Sequence, residues 1–240
     1  MTAPRLPVFR SPARRALGAL VAAAALWFGA PHLLRRMGFF RVRQIELVGV
    51  RYLVPDVVIV ALRLGPAASV FDDTDEPAAR VRALPGVSDA RVVRRLPGAL
   101  RVIVQEVAPV ALVPGAGVGA GALAVVDGDG RPLPYDPSRT ALDLPIAATA
   151  DAGLVGVLAL VQSVDPALFE EITAARYGSG DVVLELGPRR VLLARDTGPE
   201  VIRAVVLVAH DLAARSRPYA ELDARYGGQI VVRRTAGGGA

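Results

Sequence analysis

Residues 16–34 read ALGALVAAAALWFGAPHLL, nineteen positions without a formal charge unless His32 is protonated. As a helix this run would span about 28 Å at 1.5 Å per residue, close to the roughly 30 Å of bilayer hydrocarbon. Arg14-Arg15 and Arg35-Arg36 bracket it, and Trp27 and Phe28 lie toward one end, as interfacial aromatics do. A cleaved signal peptide is the rival reading, but Pro31 would follow the only small-residue stop and the apolar run is long. The expectation is an uncleaved, single-pass anchor over residues 16–34, preceded by a short cytoplasmic tail at residues 1–15. Charge alone leaves the orientation open. Arg5, Arg10, Arg14 and Arg15 precede the run, and Arg35, Arg36, Arg41 and Arg43 follow it. Other apolar runs, such as residues 57–62 and 152–161, are too short to span.

The excess charge belongs to this same end. The net charge is +5, yet residues 1–36 hold six arginines and no acid. The other 22 arginines face all 23 acids, so the rest of the chain is close to neutral. A nucleic-acid binder displaces phosphate counterions with a basic face, and a near-neutral domain has no net excess for it. Nucleic acid is therefore not an expected partner. There is no cysteine and no lysine, which removes disulfides, thiolate chemistry, a Walker-type lysine and Schiff bases. The only histidines are His32 and His210, too few for a metal site without heavy carboxylate help.

Residues 37–110 read as strand, helix, helix, strand, strand. Residues 40–49 alternate as a strand, with Ile45 and Leu47 against Glu46. Pro55 opens a helix where its missing N–H costs nothing. Val58, Ala61 and Leu62 then share a face, and Gly65 is the expected stop. Asp73-Thr74-Asp75-Glu76 has the form of a capping box for a second helix, with Val81 and Leu84 at helical spacing and Pro85 as terminator. Residues 87–95 and 99–107 are β runs around Leu96-Pro97-Gly98. In the second, Leu100, Val102 and Val104 point one way, opposite Arg101 and Gln105. Two helices on one face of a three-stranded sheet would bury these rows.

Residues 110–234 read as mainly β with two helices. Residues 181–186 and 191–194 alternate around Gly187-Pro188, a hairpin signal. Residues 150–164 form a short apolar helix. Thr197-Gly198-Pro199-Glu200 reads as a second capping box, starting a helix whose buried stripe is Ile202, Val205, Val206, Ala209 and Leu212. Residues 115–121 and 235–240 are too glycine-rich to order by themselves, and the latter reads as a disordered tail.

Several motifs invite chemistry and decline it. Gly115, Gly117 and Gly119 loosely fit a dinucleotide fingerprint, but a strand pattern follows where a helix is required. Asp127-Gly128-Asp129-Gly130 lacks the acidic twelfth ligand of a calcium loop, since position 138 is Ser138, and Asp-Gly between β runs is a turn signal. Gly178-Ser179-Gly180 lacks the first glycine of a nucleophile elbow, because Tyr177 stands there. His210, next to Asp211 late in a helix, suits the helix dipole, and no triad surrounds it. Asp72-Asp73 and Glu170-Glu171 read as solvated charges. The reading is therefore no enzyme, no catalytic residue, no metal and no cofactor.

The order of motifs carries a resemblance. "FRVRQIELVG", "LPGV" at residues 84–87, Arg95-Leu96-Pro97 and "E-x-x-P-V-A" at residues 106–111 together resemble the POTRA domain of the FtsQ/DivIB cell-division family, with Val107 where that family usually has Arg. "LAVVDGDGRPLP" at residues 123–134, "LDLPIA", and "AELDARYGGQIVVR" at residues 220–233 resemble the β domain that follows it there. The resemblance covers about residues 15–234. It implies an α+β chain: one N-terminal transmembrane helix, a β-α-α-β-β POTRA domain at residues 38–109, and a C-terminal β domain at residues 110–234. It also implies a non-catalytic inner-membrane scaffold of the division machinery. The N-terminus would be cytoplasmic and the bulk periplasmic or otherwise outside the cytoplasm. Its partners would be FtsB/DivIC-like and FtsL-like coiled-coil proteins, other division membrane proteins, and lipid through the one helix. A POTRA-bearing component of outer-membrane protein transport is the alternative, and an anchored periplasmic enzyme a more distant one.

A binding module of this sort needs an open sheet edge whose unpaired main-chain groups accept a partner strand. The expected edge is residues 226–233: Tyr226, Gly227, Gly228, Gln229, Ile230, Val231, Val232 and Arg233. Gly227-Gly228 permits a tight turn, Ile230 and Val232 alternate with Val231 and Arg233, and Tyr226 offers an amphipathic anchor.

Overall fold

The computed structural model describes residues 38–115, 123–137 and 142–234. No helix among them is long and apolar enough to cross a membrane. The tail at residues 1–15, the span at residues 16–34 with His32, and the final tail lie outside the described residues, as does most of the glycine-rich run after Gly115. The chain divides into two compact units, one of Met1–Val50 with Val54–Gln105 and one of Arg51–Leu53 with Glu106–Ala240.

The first unit runs β1 (Gln44–Val48), α1 (Pro55–Leu62), α2 (Asp75–Arg82), β2 (Val87–Arg95) and β3 (Ala99–Glu106). Its sheet has the order β1-β3-β2, with β1 parallel to β3 and Ile45 and Leu47 beside Leu100 and Val102. Alternation along β3 buries Leu100, Val102 and Val104, and Val58, Leu62, Val70, Val81 and Ala90 are buried as well. Gly49 ends β1 at φ +84°, and a Cβ there would sit 2.1 Å from the Val104 carbonyl oxygen, so the backbone approach requires glycine.

Three local expectations fail here for identifiable reasons. The first strand is shorter than residues 40–49, because Gly38–Phe40 forms a 3-10 turn and Arg41 bridges Ser69 instead. Helix α1 stops at Arg63, not Gly65. Arg63 takes the left-handed conformation at φ 48°, while Arg80 donates to the carbonyl of the buried Leu62 at 2.7 Å. The capping box at α2 does not form: Thr74 is already helical and makes no side-chain cap. The Asp73 carboxylate accepts the Asp75 N–H, and Glu76 pairs forward with Arg80.

The second unit is an eight-stranded mixed sheet. Its strands are β4 (Ala111–Pro114), β5 (Leu123–Val126), β6 (Ile146–Ala147), β7 (Ala174–Gly178), β8 (Asp181–Leu186), β9 (Arg189–Leu193), β10 (Glu221–Asp223) and β11 (Val231–Arg233). Their order is β11-β10-β9-β8-β7-β6-β4-β5. Hairpins join β4 to β5, β7 to β8, β8 to β9 and β10 to β11, while β6 and β10 enter parallel to their neighbours. The helices are α3 (Ala152–Val164), α4 (Pro166–Glu171) and α5 (Pro199–Ala214), three where two were expected. Helix α4 is only six residues long, too short to show a period. Asp165 caps it by accepting the Leu168 N–H at 2.7 Å, and Pro166 holds its first position.

Helix α5 departs from its expected cap in the same way as α2. Gly198, in extended conformation, stands at the N-cap without a side-chain bond, and the Thr197 hydroxyl is buried without a partner. The core joins Leu154, Leu158 and Val161 of α3 and Ile202 and Val205 of α5 to Val182, Leu184, Val191, Leu193 and Leu222 of the sheet. Val206, Ala209 and Leu212 are only partly buried.

Candidate functional site at the open sheet edge

Among the described residues, strand β11 is the terminal strand of the larger sheet and pairs with β10 alone, Val231, Val232 and Arg233 lying opposite Asp223, Leu222 and Glu221. Main-chain directions follow from the next pairing inward. The Arg190 N–H donates to the Ala220 carbonyl at 3.0 Å and the Ala224 N–H to the Leu192 carbonyl at 2.9 Å. The Ala220 carbonyl and the Ala224 N–H therefore face β9, as do the pairing groups of Leu222 between them, and alternation turns those of Glu221 and Asp223 toward β11. The Arg233 carbonyl, which accepts from the Ala220 N–H at 2.9 Å, faces inward accordingly. That leaves the N–H and C=O of Val232 pointing away from the sheet.

The side chains sort by the same period. Ile230 and Val232 pack against the core, Val231 and Arg233 lie on the opposite, exposed face, and Tyr226 is 54% exposed. The approach is a turn, with the Gln229 N–H donating to the Tyr226 carbonyl at 3.3 Å and Gly228 at φ +77°.

Two carboxylates on β10 are buried on that opposite face, Glu221 and Asp223, each about 2% exposed. Arg225 forks onto Asp223, Nε to Oδ1 at 2.8 Å and Nη2 to Oδ2 at 2.7 Å, and its Nη1 reaches Asp181 Oδ2 at 2.9 Å. These bonds, Arg225 first, hold the Asp223 carboxyl below the usual range, and the same partners push the Arg225 guanidinium up. The neighbouring Tyr226 ring lies 5.7 Å from the Arg225 guanidinium. Glu221 accepts from Arg190 Nε, and Arg233 Nε lies 3.2 Å from its other oxygen without hydrogen-bond alignment. Together with Arg176, Ser179 and Asp181, these groups line a polar groove of about 240 Å³.

The other residues singled out in the sequence are dispersed. Ser179 is exposed at φ 53° in the β7–β8 turn, and His210 is exposed on α5 beside a different groove lined by Leu168, Glu171 and Tyr219. Asp127 closes its turn by accepting the Asp129 and Arg131 N–H groups. Glu171 pairs with Arg189, and Asp72 accepts the Ser69 N–H. Glu106 was quoted only as part of a motif, yet its carboxylate accepts three successive main-chain N–H groups, from Arg51, Tyr52 and Leu53, at 2.8–3.1 Å. An acid closing an otherwise apolar strand face was the available signal.

Residues 40–106 match the family model of the POTRA domain, FtsQ-type. No curated protein matches the chain significantly. The family match falls on the β-α-α-β-β unit, with its glycine-ended first strand and its buried row on β3. Residues 40–106 are accordingly a POTRA domain of the FtsQ type.

Proposed function

We propose that this chain is a non-catalytic, membrane-anchored scaffold of the bacterial division machinery. Residues 16–34 would cross the inner membrane, the N-terminus would be cytoplasmic, and both units would stand outside the cytoplasm. There the edge at residues 226–233 captures a strand from small coiled-coil division proteins of the FtsB/DivIC and FtsL types. The FtsQ-type POTRA domain supports the division setting. The observation that carries the mechanism is β11 at the end of its sheet, with the main-chain groups of Val232 turned outward. An added strand would extend the ladder there with main-chain bonds, and the half-exposed Tyr226 ring would supply apolar contact at a low entropy cost.

Proline scanning tests it, because proline removes one N–H at a known side of the strand. In the whole chain in detergent, Val232→Pro should melt close to Val232→Ala, the control for lost packing, and should fail to bind the host's FtsB-type protein. Val231→Pro should instead disrupt the pairing to β10 and unfold the edge. Binding by Val232→Pro equal to that of Val232→Ala would sink the proposal.

A further inference from the structure

The larger sheet carries a row of charges that runs straight to its open edge. Glu185 on β8 lies opposite Arg190 on β9, Arg190 lies beside Glu221 on β10, and Glu221 lies opposite Arg233 on β11. The signs alternate across four consecutive strands: minus, plus, minus, plus. Two neighbours in the row are in contact, since Arg190 Nε donates to Glu221 and Arg233 Nε lies 3.2 Å from it. Glu185 turns aside to Arg176, its bond to Nε being 2.8 Å. The buried member is Glu221, whereas the Arg233 side chain at the outer end is 62% exposed.

A strand added to β11 would place one side chain directly opposite Arg233 on this same face. Opposite charges across strands attract and like charges repel, so the row fixes the sign of that side chain. The two positions beside it are constrained as well. The residue opposite Val232 would extend the face on which Val232 and Ile230 pack against the core, and the one opposite Val231 would meet an exposed valine.

We infer that the strand captured at β11 carries an aspartate or glutamate opposite Arg233, with two apolar residues next to it, opposite Val232 and Val231. Arg233 is thus the residue that selects the partner and its register, while the main chain supplies the ladder. The inference rests on the edge-capture reading above and adds the chemistry of what is captured. The same row opposes a partner strand that offers Lys or Arg at that place.

The test is a double-mutant cycle between the whole chain and the small coiled-coil protein it captures. Arg233→Gln is the variant of choice, because a carboxylate at this position would sit against the buried Glu221 and unfold the edge. Each acid of the captured segment is neutralised in turn, Asp→Asn or Glu→Gln. One of them should weaken binding about fivefold against the native chain and have no further effect against Arg233→Gln. The weakening should also shrink as salt is raised. Additive losses for every acid, with Val232→Pro still abolishing capture, would overturn the charge rule and leave the edge reading standing. Unimpaired capture by Val232→Pro would overturn both. Self-association of the chain that Val232→Pro removes would make a second copy the occupant and overturn the inference as well.

Discussion

Glu106 gathers three consecutive donors into one carboxylate, a task neutral side chains do less well. Replacing it by alanine leaves the N–H groups of Arg51, Tyr52 and Leu53 without their charged acceptor. The expected cost is about 2 kcal/mol in urea unfolding, with Glu106→Gln in between. Equal stability of Glu106→Ala and the native chain would show that water replaces the carboxylate without loss. Asp223 makes a different prediction because its carboxyl is held below the ordinary value of about 3.9. A carboxyl with a depressed folded value stabilises the fold above its unfolded value, and that stability is lost as pH falls through the folded value. Asp223→Asn removes this contribution, so its urea midpoint should fall less steeply than the native one below about pH 4. Parallel profiles would show that Arg225 contributes no pH-linked stability through Asp223. Tyr135 shifts the other way, because burial dominates there and pushes its phenol up to about 12 while it donates to the Val107 carbonyl at 2.8 Å.

Among the elements, β3 lends the first unit an unbroken buried row, Leu100, Val102 and Val104. Val102 is fully buried between Leu100 and Val104 on one face, so Val102→Asp places an unpaired charge in a small core. It should destabilise by on the order of 3–5 kcal/mol, a large share of a domain's stability, and show as early proteolysis of residues 38–106 in the whole chain. Strands of this kind were legible in the sequence, because a period of two with one apolar face reads directly as a half-buried strand. Helix starts were placed as well, at Pro55 and Pro199, but the chemistry of their caps was not legible. Asp73-Thr74-Asp75-Glu76 and Thr197-Gly198-Pro199-Glu200 have the letters of a capping box, but Glu76 found Arg80, and Gly198 took the cap from Thr197. A cap is decided by side-chain competition that spacing does not record. The edge strand was legible as a late alternating segment. The burial of Glu221 was not, because Arg190 and Arg233, which flank it, come from strands whose neighbours only the tertiary pairing defines.

For the whole molecule, the decisive test is topological. A reporter active only outside the cytoplasm should light up when fused after Arg234 and stay dark when fused before Ala16. The reverse pattern would overturn the scaffold reading together with its partners. The strand order of the second unit also has a bearing on time. Strand β10 reaches its parallel neighbour β9 only after helix α5 has crossed back over the sheet, and among the described residues β11 has no ladder partner except β10. Pairings of this separation close late, after the local hairpins β7–β8 and β8–β9. On the edge-capture proposal the docking strand would then come into being at the end of folding, and a half-folded copy would present nothing for a partner to join, so that assembly would wait on maturation without a separate signal.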